Sequence, residues 1–203
     1  MLLTEYRPFH VDRQLAEATL KENRPLTVKG VIQRAEAKNQ NGRIYPREIL
    51  EREINKYIDG PVKEKRALGE LDHPESSVIN LQNVSHNVTK IKMMGDDVYG
   101  EVEILPTPAG KILQALFASG ITVGISSRGM GSVKEGAGGT VEVQDDFELL
   151  CFDFVSTPST HGAFMRPVGR ALQEGKTIPE YKYTNVNNII RDIICDNTGM
   201  CKC

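Results

Sequence analysis

Phe147-Glu148-Leu149-Leu150-Cys151-Phe152-Asp153-Phe154-Val155 is the most hydrophobic strand-like run in the chain. Apolar residues stand on both of its parities, which implies a strand buried on both faces. Asp153 lies inside this run. A carboxylate there must be paired or hydrogen-bonded, because an isolated buried charge is very costly. It either orients a catalytic histidine and stabilises the imidazolium formed in catalysis, or it is a structural aspartate bonding a backbone turn or an arginine.

Moving upstream, Gly136-Ala137-Gly138-Gly139 reads as a hairpin tip between two short strands. Before it, Ile121, Val123 and Ile125 alternate as in a strand that runs into Gly124-Ile125-Ser126-Ser127-Arg128-Gly129-Met130-Gly131-Ser132. The glycines there permit a tight turn and close approach to a ligand. Thr107-Pro108 opens a helix with Ile112, Leu113, Leu116 and Phe117 on its apolar face, and Gly120 stops it. Residues 84–93 and 97–105 read as a strand pair turning through Gly95-Asp96-Asp97. Pro46 begins another helix whose inward stripe is Ile49, Leu50, Ile54, Tyr57 and Ile58, with Asp59-Gly60-Pro61 as its end. An alternating strand starts at Leu26, and residues 12–23 suit a peripheral helix. Mostly strands with two main helices predict an α+β fold with a largely antiparallel sheet or barrel.

At 203 residues the chain suits one domain with appendages. Its 39% hydrophobic and 26% charged content are those of a soluble globular protein. A net charge of −2 supplies no general field for holding nucleic acid. No apolar run has the length of a membrane span, and the N-terminus lacks the apolar core of a secretory signal. Cys151 reads as a small buried hydrophobe. Cys195, Cys201 and Cys203 crowd the C-terminal end with a spacing that matches no common zinc ribbon or finger, so no metal is expected there.

Chemistry-bearing residues concentrate in two places. Gly69-Glu70-Leu71-Asp72-His73-Pro74 places a histidine before a proline, which pushes it out of helical conformation. Paired with a serine of the 124–132 stretch, it suggests nucleophilic catalysis. His86 competes for a role, because it shares a strand parity with Val84 and Val88 and should face the core. Glu70, Asp72, His73 and His86 could in principle ligate a metal. No helical H-x-x-x-H spacing accompanies them, and no metal or cofactor is expected. An esterase elbow of the Gly-x-Ser-x-Gly type is missed because Arg128 stands at the second glycine.

Five motifs occur in order: Asn-Gly-Arg-Ile-Tyr-Pro at 41–46, Leu-Gly-Glu-Leu-Asp-His-Pro at 68–74, Gly-Asp-Asp-Val-Tyr-Gly at 95–100, Gly-Ile-Ser-Ser-Arg-Gly at 124–129 and Asp-Phe-Val-Ser-Thr-Pro at 153–158. Together they resemble the prohead maturation proteases of tailed bacteriophages, above all those of the large contractile-tailed phages, over residues 26–160. The resemblance implies a fold similar to the herpesvirus assemblins, a mainly antiparallel β-barrel with surrounding helices. It implies Ser126 as nucleophile, His73 as general base and Asp153 as third member, with His86 in reserve because the herpesvirus relatives use a histidine there. Ser127, Arg128 and Gly129 would support the oxyanion through backbone N–H groups of a turn, or the loop near Ser156-Thr157 would do so. Arg128 would hold that loop, fix a water, or pair with a surface acid.

The resemblance further implies an endopeptidase that works inside the immature capsid in the host cytoplasm. Its partners would be scaffold, core and capsid proteins, cut after glutamate, and it would be a homo-oligomer without nucleic-acid or membrane partners. Leu15-Ala16-Glu17 and Leu172-Gln173-Glu174 then mark candidate self-cleavage sites. The expected organisation is an N-terminal segment 1–24, a protease domain 25–170 and a C-terminal tail 171–203, with both terminal segments removable. The rival expectation from another class is an inactive structural or scaffold-binding protein with the same fold.

Overall fold

The computed structural model describes residues 13–21, 25–74, 76–136 and 139–168. The cysteine-bearing tail and Glu174 lie outside the described residues. The elements follow the sequence reading closely. α1 (Arg13–Lys21) precedes β1 (Leu26–Arg34), β2 (Arg43–Ile44) and α2 (Arg47–Tyr57). β3 (Leu68–Glu70), β4 (Val84–Met94) and β5 (Asp97–Ile104) come next, then α3 (Pro108–Ala118). β6 (Gly124–Met130), β7 (Val133–Glu135), β8 (Val141–Val143), β9 (Glu148–Val155) and β10 (Arg166–Pro167) complete the order.

Local chemistry accounts for the boundaries. Thr107 caps α3 by accepting a hydrogen bond from Gly110 N at 3.1 Å, and Pro108 occupies the first turn, where no donor is needed. Gly120, at φ +75°, ends it. Asp59-Gly60-Pro61 does not end α2 as expected. The chain continues through one widened turn, Ile58–Val62, with Lys63 N donating to Ile58 O at 3.1 Å. Pro61 has no N–H for a regular helical ladder, and the wider turn accommodates it.

Five strands form an antiparallel sheet in the order β10-β1-β5-β4-β3. β5 alternates cleanly, with Val98, Val102 and Ile104 buried and Tyr99 exposed. β6 and β9 make a separate antiparallel ribbon, and β2-β8-β7 a small third sheet in which β2 and β8 run parallel. The ribbon meets the five-stranded sheet through single bridges, Leu71 to Phe154 beside β3 and Gly124 to Phe164 just before β10. The fold is therefore α+β and mostly antiparallel, but among the described residues the strands do not form one closed barrel. Both edges are short: β3 has three residues and β10 two, and each edge meets the ribbon through one isolated bridge.

β9 anchors the core, as its composition requires. Phe152 packs edge-on to Tyr57, ring centroids 5.7 Å apart, and Phe154 does so to Phe117 and His86 at 5.9 and 4.6 Å. The other parity of β9 carries Cys151 and Asp153, buried on the opposite side of the ribbon. One strand thus separates an aromatic core from a polar cluster.

Candidate active site

The β6/β9 register sets Ser126 directly opposite Asp153, and Arg128 opposite Cys151. Residues opposite each other in an antiparallel pair project to one face, so Ser126, Arg128, Asp153 and Cys151 share a side. Ser127 stands opposite Phe152 and belongs to the other face. Its hydroxyl accepts from Gln33 Nε2 at 2.7 Å, and Gln33 Oε1 accepts in turn from the Thr160 hydroxyl. The two adjacent serines are therefore separated by strand geometry.

Asp153 is fully buried and heavily bonded. Its Oδ2 receives hydrogen bonds from His73 Nδ1 and Arg128 Nε, both at 2.8 Å. Its Oδ1 receives Glu70 N at 2.9 Å, Arg128 Nη2 at 3.3 Å and the Cys151 thiol at 3.5 Å. Burial pushes the Asp153 carboxyl up, but the His73, Glu70 and Arg128 donors together hold it below the ordinary carboxylate value. Burial and the Asp153 charge push the Cys151 thiol up to about 12, leaving it unreactive.

His73 reaches this acid through a specific backbone path. Leu71 bridges Phe154 in parallel, and Asp72 N donates to Phe154 O at 2.8 Å. Asp72 then takes φ +66°, a left-handed conformation that aspartate tolerates better than most residues. Gly69, in the same motif, must be glycine. A Cβ there would lie 2.0 Å from Phe152 O and 2.3 Å from His86 Nε2. Pro158 of the fifth motif fills the space a Cβ on Gly124 would need, at 2.5 Å. The second, fourth and fifth motifs thus meet around Asp153.

With Nδ1–H donated to Asp153, the neutral imidazole keeps Nε2 as its basic nitrogen. The His73 side chain is 38% exposed, so the ring stands at the surface while its partner acid is dry. Ser126 is 2% exposed and its Oγ is hydrogen-bonded to Ser159 Oγ at 2.9 Å. No direct hydrogen bond joins Ser126 to His73. Catalytic hydrogen bonds often tighten only when substrate is bound.

The remaining candidates are placed as follows. His86 sits on the core side, where Nε2 donates to Phe152 O at 2.9 Å and Nδ1 accepts from Ser85 Oγ at 2.8 Å. Burial pulls it down to about 4, so it stays neutral, and neither ring nitrogen is bonded to His73 or Ser126. Ser127-Arg128-Gly129 is strand paired with β9 and not the expected turn, because β9 continues beside it to Glu148. Arg128 does not pair with a surface acid. It grips two buried ones, Asp153 and Glu70, and also donates to Ser76 O. Glu17 lies within α1, where Ala16 is buried. Sequence reasoning missed Ser159, whose only signal is its place directly after the fifth motif. It also missed the link from Glu70 to Arg128, since no spacing rule joins residues so far apart.

A buried aspartate thus holds His73 and stands opposite Ser126 in the ladder, residue types that serine hydrolases use. Residues 11–174 match the family described as prohead core protein serine protease, and the chain belongs to that family. It is 34% identical over 155 residues to the prohead core protein protease of Enterobacteria phage T4, covering 75% of this chain and 72% of that one. Among solved structures, the capsid assembly protease of bacteriophage T4 superposes with a TM-score of 0.63 at 32% identity, covering 66% of this chain and 84% of the other.

Proposed function

We propose that the chain is the serine endopeptidase of a phage capsid-assembly pathway, with Ser126 as nucleophile, His73 as general base and Asp153 as the orienting acid. One observation carries this reading: Asp153, fully buried, binds His73 Nδ1 at 2.8 Å while facing Ser126 across the β6/β9 ladder. In the reaction, the Ser126 hydroxyl leaves Ser159 and gives its proton to His73 Nε2 as Oγ attacks the scissile carbonyl. The imidazolium, stabilised by Asp153, then returns the proton to the departing amine. The edge-to-edge circuit of strands joined by single bridges supports kinship with the barrel of the herpesvirus assemblins.

The substrates are the scaffold, core and capsid proteins of the immature capsid, cut after glutamate, with the enzyme acting as an oligomer inside the capsid. The chain also trims itself after Glu17 and Glu174, giving a mature domain without its first segment and tail. Cleavage after Glu17 requires α1 to unwind, because a protease takes its substrate extended. Co-expression with the matching core protein tests the reading. Wild type should fragment the core protein and Ser126→Ala should leave it whole. Cleavage by the variant would overturn the nucleophile, and no cleavage by either would return the chain to a structural role.

A further inference from the structure

An arginine bonded to a triad acid creates an electrostatic problem. Asp153 must meet His73 as an anion to stabilise the imidazolium, yet Arg128 holds both of its oxygens, through Nε at 2.8 Å and Nη2 at 3.3 Å. A neutral Arg128–Asp153 pair would give His73 little help. Glu70 changes that balance. Its side chain is 1% exposed, and its Oε1 accepts from the same Arg128 Nη2 at 2.9 Å and from Asn80 N at 3.1 Å. Its Oε2 is buried without a hydrogen-bond partner among the described residues.

Resting on the assignment of Ser126, His73 and Asp153 above, we infer that Glu70 is a positioning residue that offsets the Arg128 charge, so that Asp153 faces His73 as an uncompensated anion. The formal charges are −1 on Asp153, −1 on Glu70 and +1 on Arg128, leaving the cluster at −1 beside neutral His73. When His73 takes the serine proton the cluster becomes neutral. Without Glu70 the same step would leave a net positive charge, with Arg128 and Asp153 already cancelling in the buried part of the cluster. The other titratable groups around Asp153 do not alter the count. Cys151 on β9 and His86 on β4 are both held neutral by burial, and burial also raises the Tyr57 hydroxyl on α2.

Arg128 has a second task that makes this arrangement economical. Its Nη1 donates to Ser76 O, and Asn80 N bonds Glu70, so both groups tie down the loop that follows His73-Pro74. Removing the arginine would free the acid but loosen that loop. Keeping the arginine and adding Glu70 retains both the anchor and the anion.

The test is a titration of the His73 ring by NMR in the full chain carrying Ser126→Ala, which prevents self-cleavage and needs no substrate. Glu70→Gln keeps the Oε1 acceptor and removes one negative charge near the imidazolium, so the His73 midpoint should fall by about one unit. Arg128→Gln removes a positive charge and should raise it. The double variant restores the net charge and should return the midpoint towards wild type. In the catalytically competent chain, Glu70→Gln should lower kcat/KM about ten-fold and move the acidic limb of its pH profile to lower pH, with KM little changed. An unmoved His73 midpoint in Glu70→Gln would overturn the inference. If that variant fails to fold, the double variant decides: a midpoint equal to that of Arg128→Gln alone means Glu70 contributes no charge. Failure of the catalytic assignment is seen separately, as cleavage that survives Ser126→Ala.

Discussion

At the scale of single residues, two neighbours have different fates. Ser126 and Ser127 are adjacent in sequence, yet one faces Asp153 and the other bonds Gln33. Adjacent residues of a strand project to opposite faces, and the pairing of β6 with β9 separates the two serines in this way. The buried charge of Asp153 was legible in the sequence, since an acid in an apolar run needs a partner. What it is bonded to was not legible, because His73 and Arg128 approach from distant parts of the chain. Asp153→Asn would keep the shape but allow the wrong His73 tautomer, and in an established serine triad that change costs about 10⁴ in kcat. A comparable loss is expected here in a core-protein cleavage assay, with thermal stability measured alongside to show that the fold persists. Asp72, at φ +66°, makes a separate prediction. Asp72→Val should destabilise the protein by about 1–2 kcal/mol in urea unfolding, because a β-branched side chain resists that conformation, while Asp72→Gly should be nearly neutral.

At the scale of elements, the β6/β9 ribbon works as a partition. Phe152 and Phe154 fill the core on one side, and the cluster around Asp153 occupies the other. Burial of β9 on both faces follows from its composition, and the helices and the β4/β5 pair follow from their periodicity and caps. The wide turn at Ile58–Val62 and the strand conformation of Ser127–Gly129 did not follow. In both, glycine or proline signalled a break that tertiary pairing overrode: β9 keeps β6 extended, and α2 absorbs Pro61 by widening. Gly69 tests how tightly β3 is laid on β9. Gly69→Ala would put a methyl against Phe152 O and the His86 ring, so a loss of at least about 2 kcal/mol, or failure to fold, is expected from denaturant midpoints. Midpoints within experimental error of wild type would show that β3 can shift without cost, and that the His73 approach is looser than described.

At the scale of the whole molecule, the fold class was readable from the order of elements, but the open joints between sheets were not, because single bridges leave no sequence pattern. Those joints put His86 under the β3–β9 contact, fully buried. An unfolded histidine takes its proton near pH 6.5, whereas burial holds this one down to about 4. The unfolded state therefore binds the proton first, and stability falls as pH drops from about 6.5 to about 4, then levels. The full effect is on the order of 3 kcal/mol. Asp153, held below its ordinary value, contributes stability that is lost only at still lower pH, as its folded-state carboxyl protonates. Urea midpoints at pH 7.5 and 5 should differ for wild type, and His86→Gln, though less stable throughout, should lose most of that difference. The proposed self-processing is also tested on the whole chain. Intact mass of incubated protein should show termini at Ala18 and Glu174, and unchanged termini in a preparation that cleaves core protein would refute it. The nucleophile itself is tested most directly by chemical labelling. A preparation shown to cleave core protein is treated with a fluorophosphonate, digested, and the adduct located by peptide mass. The adduct should fall on Ser126 and be absent from Ser126→Ala; an adduct on Ser127, or full cleaving activity with no adduct on Ser126, would contradict the account.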